Sequence, residues 1–262
     1  MILKSIFKIC IIIAFLKEFP NPKFNSQSKE KITNSNTEMT NYLGDIDYEN
    51  FVKKILKINS KNWDSISEPI DVDKLVIAAP SGVKYLANRD PLKDLDNCLT
   101  LASNIIKYFK SIKTMVIISS NDTLNPTTDY GQNRLYFNTL MEKVCEKLNT
   151  DLYIMYLGMT FGPKVRKGMV YDFIHGNYNF YNGGTYQLYP VRHLEQDIQH
   201  CIDNKIHRAM LASVPIKTSE IKALWNIKDN YQSDICYNFE GFGVPLLDKA
   251  IILREIQWIN SI

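Results

Sequence analysis

Short apolar runs alternate with longer stretches of helical spacing along most of this chain. Residues 74–79 (KLVIAA) are nearly all apolar and close on Pro80-Ser81-Gly82, which predicts a strand covered on both faces. Pro91 suits a first helical turn, and Leu95, Leu99, Ala102, Ile105, Ile106 and Phe109 continue a long helix. Residues 114–119 (TMVIIS) predict a second buried strand, 129–148 a helix and 152–157 a strand. Helices over 191–202, 219–225 and 247–259 and a strand over 209–212 complete the pattern. Upstream, Ile46, Phe51, Ile55 and Ile58 fall near helical spacing with Asp47 placed to cap, so 45–58 reads as a helix.

Strand and helix repeating at roughly 35–40 residues imply right-handed crossovers, hence an α/β fold with a doubly wound parallel sheet. In such sheets ligands bind at the carboxyl ends of strands. That directs attention to Ala78-Ala79-Pro80-Ser81-Gly82, to Ser119-Ser120-Asn121-Asp122 and to residues 158–163.

The amino-terminal residues read differently. Two lysines lead into the apolar run from Ile9 to Leu16, followed by Lys17-Glu18. A secretory signal or anchor has this order, but no small-x-small cleavage site follows. A buried strand or helix of the fold is the other reading, since periodicity does not assign so short a run. Residues 20–41 are polar and read as loop or linker.

Composition narrows the classes of function. Hydrophobic residues make up 45% and charged residues 23% of 262, the usage of a globular protein. No apolar run is long enough to span a bilayer as a helix. The net charge of +3 resides wholly in residues 1–43, and the remainder balances 25 basic against 25 acidic side chains. Nucleic-acid binding needs a clustered positive field, which the globular part does not supply. Five scattered cysteines without a C-x-x-C pair argue against a disulfide framework or zinc site, and for a reducing, cytoplasmic setting.

One constellation carries chemistry. The strand ending in Ser119-Ser120 is followed, ten residues on, by Tyr130-Gly131-Gln132-Asn133-Arg134 at the start of a helix. Tyr130 and Arg134 are i and i+4 and share a helix face. A phenol beside a cation, with a strand-end hydroxyl nearby, makes a proton-transfer unit in which positive charge favours the phenolate.

Here the chain resembles the extended short-chain dehydrogenase/reductases, the NAD-dependent epimerases and dehydratases of nucleotide sugars. Gly44-Asp45-Ile46 is similar to the acidic turn that touches adenine, and residues 75–80 to the strand beside the dinucleotide. Asp90-Pro91 and Asn97 resemble the helix with an Asn behind the active site; Ile117-Ile118-Ser119-Ser120 resembles the strand with the catalytic Ser or Thr. Tyr130 to Arg134 resembles the Tyr-x-x-x-Lys helix, residues 157–163 the opening of the sugar site, and residues 189–194 the turn before a late helix.

The resemblance implies a Rossmann-like core over 44–160 and a smaller carboxyl-terminal substrate lobe over 161–262, after a divergent segment 1–43. It implies NAD or NADP held by Asp45, Ile46, Ala78, Ala79, Pro80, Asn97, Ser119, Tyr130 and Arg134. It implies catalysis by Ser120, Tyr130 and Arg134, and a nucleotide-sugar substrate met by Ser81, Asp122, Met159, Lys164 and Arg166. A homodimer is expected on the same ground.

The departures point another way. No Gly-x-x-Gly-x-x-Gly occurs in residues 1–43, Arg134 stands where the family has Lys, and Tyr156, Met159 and His193 stand where it has Arg, Asn and Asp. These replacements fall on polar positions while the apolar skeleton persists, so a scaffold with eroded chemistry, kept for binding or assembly, is the alternative function.

Plainer roles compete at each position. Ser119 and Ser120 suit turn hydrogen bonds, Arg134 an ion pair with Asp129 or Asp151, and Asp122 a solvated loop. His193, His200 and His207 are spaced too widely for a helical metal pair. The aromatic stretch from Tyr171 to Tyr189 reads as a small lobe's core rather than a stacking platform, and Cys98, Cys145 and Cys201 as small core residues.

Overall fold

A computed structural model describes residues 11–16, 55–58, 63, 68–78, 82–163, 165–181, 183–228 and 235–261. The chain divides into two compact units, residues 1–154 and 155–262.

The first unit is built on β1 (Ile11–Leu16), β2 (Ile55–Ile58), β3 (Ile70–Ala78), β4 (Phe109–Ser120) and the start of β5 (Asp151–Leu157). They lie side by side in the order β2, β1, β3, β4, β5. β3 and β4 are parallel, pairing Leu75 with Met115 and Val76 with Val116. All four of these side chains are fully buried, as the continuous apolar runs require of a strand covered on both faces. β1 runs antiparallel to both neighbours, pairing Ile13 with Val76 on one side and with Lys57 on the other. Ile11–Leu16, the described part of that apolar run, is therefore a strand of the central sheet rather than a helix. The expected helix over 45–58 is corrected at its end: Ile55–Ile58 is β2, because an apolar pair of positions in so short a run fits either period and the edge of β1 takes it as a strand. The rest of that segment lies outside the described residues.

Among the described residues the helices of this unit are α1 (Lys84–Arg89), α2 (Pro91–Tyr108) and α3 (Asp129–Leu148). Asp90 caps α2 by accepting from Lys93 N, with Pro91 in the first turn where its missing N–H costs nothing. Thr128 caps α3 through Gly131 N, and Asn149 ends it in the left-handed conformation at φ 52°. Thr128→Ala is expected to cost about 1 kcal/mol of stability, read from the shift in urea midpoint. The buried face of α2 is Asp94, Cys98, Leu101, Ala102, Ile105 and Tyr108, whereas Leu99 and Ile106, expected inward, are exposed.

The second unit takes the end of β5, β6 (Met159–Phe161), β7 (Thr185–Tyr186), β8 (Leu188–Pro190), β9 (Arg208–Leu211) and β10 (Ile216–Lys217). β9 lies beside β5. β6 pairs with β8 and β10 with β7 in two small sheets. Its helices are α4 (Met169–Ile174), α5 (Leu194–Asp203), α6 (Thr218–Lys222) and α7 (Lys249–Asn260). Of these, α4, α6 and α7 close on a core that includes Phe161, Phe173, Tyr186, Ile221 and Ile252. Phe173 and Tyr186 belong to the aromatic stretch and are buried there, while Tyr178 and Tyr181 pack against the same core. Among the described residues no helix is long and apolar enough to cross a membrane.

Candidate active site

At the carboxyl end of β4 the two serines part company, as successive strand residues face opposite ways. Ser119 is buried, and its Oγ accepts from Asn138 Nδ2 of α3 at 2.9 Å. It fastens helix to strand. Ser120 is half-buried and caps the 3-10 turn Asn121–Thr123, its Oγ accepting from Asp122 N at 3.2 Å. The same hydroxyl donates to Asp122 Oδ2 at 3.1 Å. Asp122 is no free loop acid: Lys84 Nζ, at the start of α1, lies 2.5 Å from its Oδ1.

Tyr130 enters on the first turn of α3. Its backbone N–H donates to Asn88 Oδ1 at 2.9 Å, and its side chain is buried. Gly131 allows this approach. A Cβ there would stand 2.8 Å from the Asp122 carbonyl oxygen and 3.2 Å from Pro126 Cα. Gly131→Ala is expected to cost about 1–3 kcal/mol in thermal or urea unfolding, because the obstacle is backbone.

Arg134 shares the face with Tyr130, its guanidinium carbon 4.7 Å from the ring centroid. The fork itself is spent on α2. Nη2 donates to Asp94 Oδ1 at 2.7 Å and Nη1 to Asp94 Oδ2 at 3.1 Å, with Cys98 Sγ also 3.1 Å from Nη1. Asn133 Nδ2 adds a bond to Asp94 Oδ2 at 3.0 Å. Both charged side chains are more than nine-tenths buried. The ion pair is thus internal and made with Asp94, not with Asp129 or Asp151 on the surface, and the bidentate geometry is what makes so dry a pair tolerable. Burial opposes the Arg134 charge, but its hydrogen bonds to Asp94 and the surrounding groups outweigh it and hold the guanidinium above its ordinary pKa.

Burial pushes the Tyr130 pKa up; the Arg134 charge pulls it down, Asp122 pushes it up again, and the Ser120 and Arg134 hydrogen bonds do not restore it. At neutral pH Tyr130 therefore carries its proton. Cys98, mainly through burial, is pushed up from 9.0 to about 11, and Cys145 likewise to about 12. The sign of the linkage follows. Below the ordinary pKa both folded and unfolded chains hold these protons; above it the unfolded chain releases them first, so unfolding is favoured. Unfolding midpoints are expected to fall as the pH rises from 9 toward 11, with a shallower slope in Cys98→Ala.

The other expected positions are scattered. Ala78 is half-buried at the end of β3. Asn97 is exposed on α2, and the neighbouring Asp94 and Cys98 take the inward places. Met159 is half-buried on β6 and Arg166 is exposed after it, both in the second unit. Asp45, Ile46, Ala79, Pro80, Ser81 and Lys164 lie outside the described residues. The sequence reading missed Lys84, Asn88 and Asp94. Only Asp94 left a signal, as a carboxylate spaced i, i+4 from Cys98 on the stripe that continues to Leu101 and Ile105. Among the described residues no group of three His, Cys, Asp or Glu side chains is placed to hold a metal.

No protein-family model matches the chain, and no curated protein is similar to it. Solved structures are similar in fold. A UDP-N-acetylglucosamine 4-epimerase from Methanobrevibacter ruminantium M1, in complex with UDP-N-acetylmuramic acid, aligns at TM-score 0.56 and 12% identity over 77% of this chain and 79% of its own. RMD from Pseudomonas aeruginosa, complexed with NADPH, aligns at TM-score 0.59 and 15% identity over 76% of this chain and 84% of its own. A double mutant of dTDP-glucose 4,6-dehydratase from Streptomyces venezuelae with NAD bound aligns at TM-score 0.52 and 12% identity, covering 71% and 73%. The chain has the Rossmann-like fold of the nucleotide-sugar epimerases and dehydratases.

Proposed function

We propose that this protein is an NAD(P)-dependent oxidoreductase or epimerase of a nucleotide-linked sugar, with Tyr130 as the proton donor to a keto oxygen. The observation that carries this reading is the close packing of the first turn of α3, with Tyr130 buried and Gly131 against the Asp122 carbonyl, on the turn that follows Ser120 at the carboxyl end of β4, where a doubly wound sheet takes its ligand. The fold of the epimerases and dehydratases, two of them holding NAD or NADPH, supports it.

The reacting end of a dinucleotide fits the residues present. Ser120 and Tyr130 offer two hydroxyls beside the strand end, and Ala78 at the end of β3 is small. Arg134 does not fit the ribose contact, since Asp94 and Cys98 occupy its fork. When bound, the dinucleotide supplies or takes up the hydride. Tyr130, protonated at neutral pH, gives its proton to the carbonyl oxygen, and Ser120 orients that oxygen through its hydroxyl. Arg134 acts on the Tyr130 ring and hydroxyl from inside the helix pair. The sugar nucleotide is assigned to Asp122, on the turn after β4.

The test is incubation of the purified chain with NADH or NADPH and a panel of keto-sugar nucleotides. Turnover of one of them supports the reading, and inactivity across the panel removes it. One observation favours a second reading, a scaffold kept without chemistry: the cation expected at the cofactor is consumed in the buried pair with Asp94. That reading predicts no dinucleotide binding.

A further inference from the structure

A helix leaves its first backbone N–H groups without carbonyl partners of its own. In α3 two of them are taken in different ways. Thr128 Oγ1 accepts from Gly131 N at 3.3 Å, as a local cap does. The N–H of Tyr130 goes instead to Asn88 Oδ1 of α1, 42 residues earlier in the chain, at 2.9 Å. The same seam continues down the helix. Asn133 Nδ2 donates to the Pro91 carbonyl at 2.9 Å, and Arg134 meets Asp94 through Nη1 and Nη2. Asn88, Pro91 and Asp94 straddle the corner at Asp90, where α1 ends and α2 begins. The turn after β4 supplies the other contact: a Cβ on Gly131 would stand 2.8 Å from the Asp122 carbonyl oxygen. Apolar packing is non-directional, whereas a hydrogen bond fixes distance and angle. The buried Tyr130 therefore takes its height along α3 from a bond that its own helix does not make.

We propose that Asn88 is a positioning residue for Tyr130: by accepting its backbone N–H, Asn88 sets where the phenol stands beside the carboxyl end of β4. This rests on the proposed role of Tyr130 as proton donor. Asn88 acts through the backbone of α3 and touches neither substrate nor dinucleotide in this role. A reacting group misplaced by about 1 Å costs up to about 10²-fold in rate, so losing Asn88 falls on kcat rather than on KM. Asn88 itself is exposed, and its truncation leaves no cavity in the core. Thr128 provides the comparison, since it caps the same turn but holds the next N–H along. Were Asn88 only a helix cap, removing either acceptor would have the same consequences.

The experiment compares Asn88→Ala with Thr128→Ala in the full chain. Hydrogen exchange of the Tyr130 amide is expected to quicken about five- to tenfold in Asn88→Ala, the worth of one hydrogen bond, while that of Gly131 keeps its rate. 3,5-Difluorotyrosine incorporated at position 130 gives a fluorine resonance that reports the surroundings of the ring. It should shift in Asn88→Ala and hold in Thr128→Ala. For a keto-sugar nucleotide that the chain turns over, kcat should fall about tenfold or more in Asn88→Ala with KM unchanged, and less than about twofold in Thr128→Ala. Asn88→Asp keeps an acceptor oxygen at the same reach and should restore the exchange rate, the resonance and kcat. A resonance unmoved by Asn88→Ala, or equal losses of kcat in Asn88→Ala and Thr128→Ala, overturns the inference. Inactivity of the unaltered chain across the whole panel removes the enzymatic reading instead, and exchange and fluorine then decide by themselves whether Asn88 sets the place of Tyr130.

Discussion

Asp94→Ala is expected to destabilise the first unit by about 3–5 kcal/mol, the largest stability effect of any single substitution considered. The reason is asymmetry rather than the worth of the pair. Arg134 is buried with Asp94 as its bidentate partner, and removing the carboxylate strands a guanidinium that its surroundings hold charged. Asn133 loses its bond to the same carboxylate. Urea unfolding at neutral pH measures the loss. Replacing both partners, Asp94→Leu with Arg134→Met, is expected to recover most of it, since an apolar pair of similar volume carries no desolvation debt. Equal losses in the single and double variants would mean that packing, not the stranded charge, sets the cost.

The second large effect is chemical. Tyr130→Phe is expected to lower turnover about 10²–10⁴-fold, the usual contribution of a positioned proton donor, with stability nearly unchanged. Phe keeps the ring beneath the Arg134 guanidinium and removes only the hydroxyl. Dinucleotide affinity should hold, because the lost group acts on the reacting oxygen. Ser120→Ala should cost activity too, but it also removes the cap of the turn that carries Asp122. The two substitutions are therefore distinguished by thermal unfolding, which only Ser120→Ala should shift appreciably.

How much of this was legible in the sequence depends on where each signal resides. The helix expected over 129–148 is found at Asp129–Leu148, because Thr128 caps it and Asn149 ends it, both local effects. The strands expected over 74–79 and 114–119 are there but longer, at Ile70–Ala78 and Phe109–Ser120. Their amino-terminal halves contain Asp71, Asp73, Lys110 and Lys113, whose polarity reads as loop although the backbone still pairs. On α2 the apolar pattern gave the wrong face. Leu99 and Ile106 look like core in sequence, yet a carboxylate and a thiol, Asp94 and Cys98, turn inward to meet Arg134. No periodicity argument foresees that, because the pairing partner lies 40 residues away. For the same reason the meeting of Lys84 with Asp122, separated by 38 residues, left no local trace. The short strands of the second unit, two or three residues each, are made by tertiary contact and fall below any sequence period.

The places of Ser120 and Tyr130 in the fold were legible because each stands at the end of a strongly patterned element. What the pattern alone did not reveal was the phenol's state. Spacing places a cation beside Tyr130, but only the folded structure shows that burial outweighs it.

Calorimetric titration of the full chain with NADPH and with NADH goes to the heart of the account, which places a dinucleotide against the hydroxyls at the end of β4. Saturable binding of one of them at a single site, retained in Tyr130→Phe, is the predicted result. A chain that binds neither, while remaining folded, would contradict it.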